Sequence, residues 1–233
     1  MTAKPIGRLR GTVTGIVGGI ALLTAAQAVA EPLNGRAAGR ALFSARTSAV
    51  EIVKDSGLSA ADQAILGTLF KLKEKDLALL DQLPGISAAD RESAKAVFSQ
   101  FKESHYYGAV AAAPGDGLVA PATQIAQNLH SPEAARAAAL AACAKLAQSP
   151  CVVVAEVLPR RYKPKPLTLS QSATEGFATY KKGKGPKALA ISASTDAWAV
   201  ARGIGAKIGA RRECERLAEM KGADDCTVVI ADD

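Results

Sequence analysis

The sequence predicts an α+β protein: an N-terminal helical hairpin followed by two β-hairpin–helix–strand repeats that form a mixed sheet, with one disulfide per repeat. Three observations carry this. A short apolar β-like run, an Ala-rich helix ending in Cys and a Cys-x-Val-Val type string occur twice. The first copy runs from Gly108-Ala109-Val110-Ala111 through Ala138-Ala139-Leu140-Ala141-Ala142-Cys143 to Cys151-Val152-Val153-Val154. The second runs from Lys187-Ala188-Leu189-Ala190-Ile191 through Arg211-Arg212-Glu213-Cys214 to Cys226-Thr227-Val228-Val229-Ile230. All four cysteines fall at matching places in the two copies, and the stretch ahead of them carries apolar residues at helical spacing.

Residues 1–30 read as a secretory signal. Lys4, Arg8 and Arg10 make a positive start, Val13 to Leu23 an apolar stretch with glycines, and Ala28-Val29-Ala30 a small-residue cleavage site ahead of Glu31-Pro32. The apolar stretch is short for a membrane span, and an uncleaved anchor is the alternative reading. Three of the 29 Lys and Arg lie in this leader, leaving 26 against 22 acidic residues once it is removed, a net of +4.

Residues 31–104 read as a helical region. Apolar spacing is irregular around Phe43 to Val53, and the pattern improves from Ser59-Ala60-Ala61-Asp62, a capping box with Asp in place of Glu. Ile65, Leu66, Leu69, Phe70, Leu72, Leu77, Leu80 and Leu83 follow at helical spacing until Pro84-Gly85. Ser87-Ala88-Ala89-Asp90 opens a second helix with Val97, Phe98 and Phe101 on its apolar face, and so short a connection predicts an antiparallel hairpin.

The first repeat occupies residues 105–158. Tyr106 to Ala113 reads as a strand, Pro114-Gly115-Asp116-Gly117 as a turn and Leu118 onward as a return strand. Ser131-Pro132-Glu133 is a strong helix start: Ser caps free amides, Pro is tolerated at the first helical position, and Glu complements the dipole. The helix runs from Ala134 to Ala147, and Gln148-Ser149-Pro150 turns the chain into the strand at Cys151. The second repeat, residues 187–233, reads as a hairpin of Ala188–Ser192 and Trp198–Ala201 about Ser194-Thr195-Asp196. A helix over Ala206 to Met220 and a last strand complete it.

Cys143 and Cys151 are eight apart and Cys214 and Cys226 twelve, so each pair fits a helix end folding back on a following strand. Four cysteines allow three connectivities, and a four-cysteine zinc site is the rival; the absence of Cys-x-x-Cys spacing and an oxidising compartment favour two disulfides and no metal.

The linker over residues 159–186 carries the charge. Arg160, Arg161, Lys163, Lys165, Lys181, Lys182, Lys184 and Lys187 stand against Glu175 alone, a local net of +7 over 160–187, so the rest of the mature chain is net negative. Such cations either grip anions, such as phosphates of lipid head groups or lipopolysaccharide, or simply solvate a connector. Within the linker, Ser172-Ala173-Thr174-Glu175 reads as a capping box opening a short helix with Phe177 and Tyr180.

Catalytic signatures are sparse. The chain has no Gly-x-Ser-x-Gly, His-Glu-x-x-His, phosphate-loop or dinucleotide motif, and nothing in it calls for a cofactor. Its two histidines are His105, before Tyr106-Tyr107, and His130, before the Ser131 cap. Either could serve as a general base, although a packing or surface role is commoner for a His without a partner carboxylate. Trp198, the only Trp, reads as packed within the second hairpin.

The strings Tyr106-Tyr107-Gly108-Ala109-Val110-Ala111, Asn128-Leu129-His130-Ser131, Leu158-Pro159-Arg160-Arg161-Tyr162-Lys163, Leu167-Thr168-Leu169-Ser170 and Ala197-Trp198 resemble a family of small exported proteins from Gram-negative bacteria. Some of its members carry the name 5-aminolevulic acid synthase. More loosely, each half resembles a secreted domain of unknown function with the same helix-Cys and Cys-Val-Val pattern. The named reaction needs a large pyridoxal-phosphate fold with a Schiff-base lysine, and this chain is about half that size with no Lys in such a setting. The expectation is therefore an exported, non-catalytic, disulfide-stabilised envelope protein, periplasmic or secreted, that binds an anionic envelope component or another protein; nucleic acid is the least favoured partner. The alternative is a small periplasmic enzyme using His105 or His130.

Overall fold

The computed structural model describes residues 31–43, 47–69, 87–89, 91, 92, 95 and 105–233. The leader and most of the Leu- and Phe-bearing helical hairpin, from Phe70 through Phe101, lie outside the described residues. The chain enters through helix α1 (Gly35–Ala41), strand β1 (Ser48–Ile52) and helix α2 (Ala60–Leu69). A first module follows: strands β2 (Gly108–Ala112) and β3 (Gln124–Ala126), helix α3 (Pro132–Ala144) and strand β4 (Val152–Pro159). Helix α4 (Gln171–Lys182) leads to a second module of strands β5 (Lys187–Ser192) and β6 (Trp198–Arg202), helix α5 (Ala206–Glu219) and strand β7 (Cys226–Asp232).

Each module is a hairpin, a helix and a returning strand, as the spacing predicts, and in both the last strand pairs with the first. The sheet orders are β1-β4-β2-β3 and β6-β5-β7, every strand pair antiparallel. The register shifts between Val110 and Ala111 in β2 and between Leu189 and Ala190 in β5, the same offset from the start of each copy. The α+β architecture thus stands, but the strands divide into two antiparallel sheets instead of joining in one mixed sheet. Residues 33–52 keep β4 and β7 from pairing with each other: β1 occupies the outer edge of β4, and Leu33 bridges Ile230 on the outer edge of β7, while β3 and β6 form the opposite edges of their sheets.

The strand β1 also departs from the helical reading of residues 31–104. Ser48-Ala49-Val50-Glu51-Ile52 has weak local preference, and the free backbone groups along β4 decide its conformation. Downstream, the predicted cap holds: the Ser59 hydroxyl oxygen accepts from the Asp62 amide at 3.0 Å and donates to the Asp62 carboxylate at 2.7 Å. Ala88, Ala89, Arg91, Glu92 and Lys95 are helical as well.

Small residues explain how helix meets sheet. Ala135, Ala139 and Cys143 recur every fourth residue on α3 and face Ala109 and Ala111; Ala206, Ala210, Cys214 and Ala218 do the same on α5 against Ala188 and Ala190. The opposite strand faces take larger side chains. Val110, Val154 and Val157 pack with Leu58 and Leu66, and Leu189 and Ile230 pack with Ala38, Leu42, Ala173, Phe177 and Tyr180. Among the described residues no helix is long and apolar enough to cross a membrane.

Disulfides join Cys143 to Cys151 and Cys214 to Cys226, with Cα atoms 6.2 and 6.0 Å apart. Each ties the C-terminal half of its module's helix to the strand that follows. The return strand β3 is shorter than the run from Leu118 suggests, because Leu118–Ala122 winds through turns first.

Candidate functional site

The residues with chemical potential fall into three places: a buried seam between the modules, an open groove beside it, and a surface of cations. The seam forms around the start of α4. Ser170, two residues before the predicted cap, is the residue that caps it, accepting from the Ala173 amide at 3.2 Å. Its own amide donates to His130 Nδ1 at 3.1 Å, and His130 Nε2 lies 3.0 Å from the Ala197 carbonyl. Because Nδ1 accepts from an amide, the ring proton sits on Nε2 and is donated to Ala197. His130 is 2 % exposed, and burial, opposed in part by the Ala197 bond and the Asp196 and Asp225 carboxylates, pushes its pKa down to about 4. It is a neutral staple from the first module to α4 and the β5–β6 hairpin. A general base needs a free lone pair facing its substrate, and that of His130 is taken by the Ser170 amide. His105 is exposed.

Asn128, in the left-handed conformation at φ 62°, adds a second staple. Its side chain accepts from the Ser172 amide at 3.2 Å and donates to the Ser172 hydroxyl at 3.0 Å, and the same oxygen accepts from Trp198 Nε1 at 3.0 Å. The Trp198 ring lies across Gly176, where an added Cβ would stand 2.3 Å from it. Four of the strings singled out in the sequence, at Tyr106, Asn128–Ser131, Leu167–Ser170 and Ala197-Trp198, therefore meet here; the Gln171 amide donates to the Tyr106 carbonyl at 2.9 Å. Periodicity could not have found this convergence, since each contact joins segments dozens of residues apart. The one local hint was a polar cluster, Ser170 and Ser172, at a helix start.

Next to the seam lies a shallow groove of about 550 Å³ between α3 and the β5–β6 turn, lined by Ser131, Glu133, Ala134, Ala138, Ala141 and Ser194 among others. Glu133 is held by Arg136 at 2.8 Å, and the same guanidinium reaches Glu156 at 2.5 Å. The opposite side of the turn is fixed by Asp225, which accepts from the Ser192 hydroxyl at 2.5 Å and the Ser194 amide at 2.8 Å. Burial alone would raise the Asp225 pKa; these bonds outweigh it and hold the carboxylate below the ordinary range.

The candidate anion-binding residues separate. Arg160, Arg161, Lys163 and Lys165 are exposed just after β4, and Lys181, Lys182 and Lys184 are exposed at the C-terminal end of α4, where cations complement the helix dipole. Lys181 also lies over the Phe177 ring at 5.3 Å. Lys187 is a correction: as the first residue of β5 opposite Asp232, it is turned inward. Its ammonium lies 3.5 Å from the Asp232 carboxylate, donates to the Gly183 carbonyl at 2.5 Å and sits over the Tyr180 ring. Asp232 in turn accepts from the Gly35 amide at 2.8 Å, so Lys187 anchors the N-terminal arm and is withdrawn from the anion-facing set. The segment between the cations is likewise no mere connector, for Ala173, Phe177 and Tyr180 of α4 are buried in the second sheet's core.

Among the described residues no cluster of three or more His, Cys, Asp or Glu side chains could hold a metal ion. In comparisons with known proteins, no family model, no curated protein and no solved structure matches this chain.

Proposed function

We propose that this chain is an exported, non-catalytic binding module of the cell envelope, whose exposed cations contact an anionic component such as the phosphates of lipopolysaccharide. One observation carries the reading: of the two candidate histidines only His105 is exposed, whereas seven of the eight candidate cations are. His130 is buried with both ring nitrogens committed, whereas Arg160, Arg161, Lys163, Lys165, Lys181, Lys182 and Lys184 all stand in solvent. Exposed cations attract anions at long range at little desolvation cost. The two disulfides fit an oxidising environment, and the leader-like residues 1–30 and the resemblance to small exported proteins point the same way.

The test measures binding to lipopolysaccharide micelles by wild-type protein, by a variant with those seven residues changed to Gln, and by His105→Ala. Binding should fall about tenfold or more in the seven-residue variant and stay unchanged in His105→Ala. Unchanged binding in the seven-residue variant overturns the ligand assignment. Protein recovered from the cell unprocessed, with four alkylatable thiols, overturns export.

A further inference from the structure

We infer that the tip joining β6 to α5 is an insertion point for an anionic lipid bilayer. The Gly203-Ile204-Gly205 turn holds Ile204 out of the fold: both glycines are left-handed, at φ 83° and 77°, a conformation that a β-branched residue would not tolerate, and Ile204 between them is fully exposed. Ile208, in the first turn of α5, is 68 % exposed, so two large apolar side chains stand in water at the N-terminal end of this helix. Large apolar side chains displayed this way lose nothing by leaving water and gain by entering an acyl layer.

The surroundings of the tip choose the occupant. From Arg202 to Arg212 the chain carries Arg202, Lys207, Arg211 and Arg212 and no acidic residue. Arg211 follows Ile208 by three residues, about 4.5 Å farther along the axis, so an apolar point is backed by cations at the depth of lipid phosphates. The carboxylates that face these cations are Asp233, 2.8 Å from Lys207, and Glu215, 2.7 Å from Arg211. Lys207, Asp233 and Arg211 are exposed and Glu215 is half-buried, and cations in such solvent-facing pairs exchange readily for another anion. A second copy of the chain is disfavoured as occupant because apposed tips would bring like charges together. Two isoleucines also bury far less than the roughly 800 Å² per partner of a stable protein interface. A bilayer imposes no such minimum, since apolar insertion and attraction to anionic lipid add.

The inference rests on the reading of the protein as a binding module for anions but turns on the two isoleucines; because Arg202 donates to the Thr179 carbonyl at 3.2 Å and lies against Gly183, between Lys182 and Lys184, separate isoleucine and lysine variants are what let the two fail separately. Sedimentation with vesicles of phosphatidylcholine, with and without phosphatidylglycerol, compares wild type, Ile204→Asp, Ile208→Asp, Ile204→Trp and the seven-residue Gln variant. Wild type should partition onto phosphatidylglycerol vesicles and weaken several-fold as salt rises. Ile204→Asp and Ile208→Asp should each lose about tenfold, and Ile204→Trp should bind more tightly, all with wild-type melting temperatures. Tip variants that sediment like wild type overturn the inference and, if the Gln variant still loses lipopolysaccharide, leave the proposed function intact. Equal binding to neutral vesicles, or a dimer in solution that Ile204→Asp abolishes, overturns it as well.

Discussion

His130 offers the sharpest test, because its environment makes stability depend on pH in a window where little else titrates. Folded, the ring is neutral, with a pKa of about 4; unfolded, it returns to about 6.5. The folded-state value is depressed, so the stabilising contribution is present above pH 6.5 and is lost as pH falls toward 4, since the unfolded chain takes up the proton that the folded chain refuses. Integrating the two titrations gives a loss of about 2 kcal/mol between pH 7 and pH 5. The chain has only one other histidine, the exposed His105, so the slope belongs to one residue. Urea unfolding at the two pH values should show this drop in wild type and not in His130→Gln. At pH 7 that variant should already be about 1–3 kcal/mol less stable, because the Ser170 amide or the Ala197 carbonyl loses its partner. In parallel, the imidazole signals of His130 in NMR should not move between pH 8 and 5.5. An equal pH drop in the variant, or a His130 midpoint near 6.5, would refute the assignment of a buried neutral staple.

Two further outcomes follow from the packing. Replacing either cysteine pair by alanine should cost about 2.5 kcal/mol for Cys143–Cys151 and slightly more for the longer Cys214–Cys226 loop, read as a melting-temperature decrease of about 5–10 °C each in differential scanning calorimetry; a loss under 2 °C contradicts this. Gly176→Ala tests the seam from the other side. In an open helix the change would stabilise by up to about 1 kcal/mol, but here the new methyl meets the Trp198 ring at 2.3 Å, and overpacking costs about 1–3 kcal/mol. Net destabilisation with altered fluorescence of the only Trp is expected, and net stabilisation would show that the contact is soft.

Much of the architecture is legible in the sequence because its determinants are local. Ser131-Pro132-Glu133 announces α3 and the Ser59 box announces α2, since cap and dipole act within one turn. The cysteine pairs are legible because each closes a short loop from a helix to its next strand. What was hidden is decided at long range. Ser48–Ile52 becomes a strand only because β4 has an edge to fill, and Lys187 turns inward only because Asp232 waits opposite it. The cap at Ser170 displaced the one expected at Ser172 because Ser172 is engaged by Asn128 and Trp198. The same holds for the candidate sites. The cations were visible as composition, while the immobilised state of His130 depends on an amide 40 residues away and a carbonyl 67 residues away.

The bridge between Leu33 and Ile230 has a consequence for how the protein is made. Gly35 and Asp232, which clasp beside it, are separated by 197 positions, and Leu33 exchanges backbone hydrogen bonds with Val229 and Ala231. The N-terminal residues of the described fold thus pair with its last strand. A chain delivered from its N-terminus, across a membrane or from the ribosome, holds residues 33–41 without their partner until β7 has arrived, whatever local structure forms in between. Docking of residues 33–41 therefore follows the arrival of β7, whereas the Cys143–Cys151 disulfide joins residues that both precede β7, and Cys226 of the second disulfide arrives with that strand.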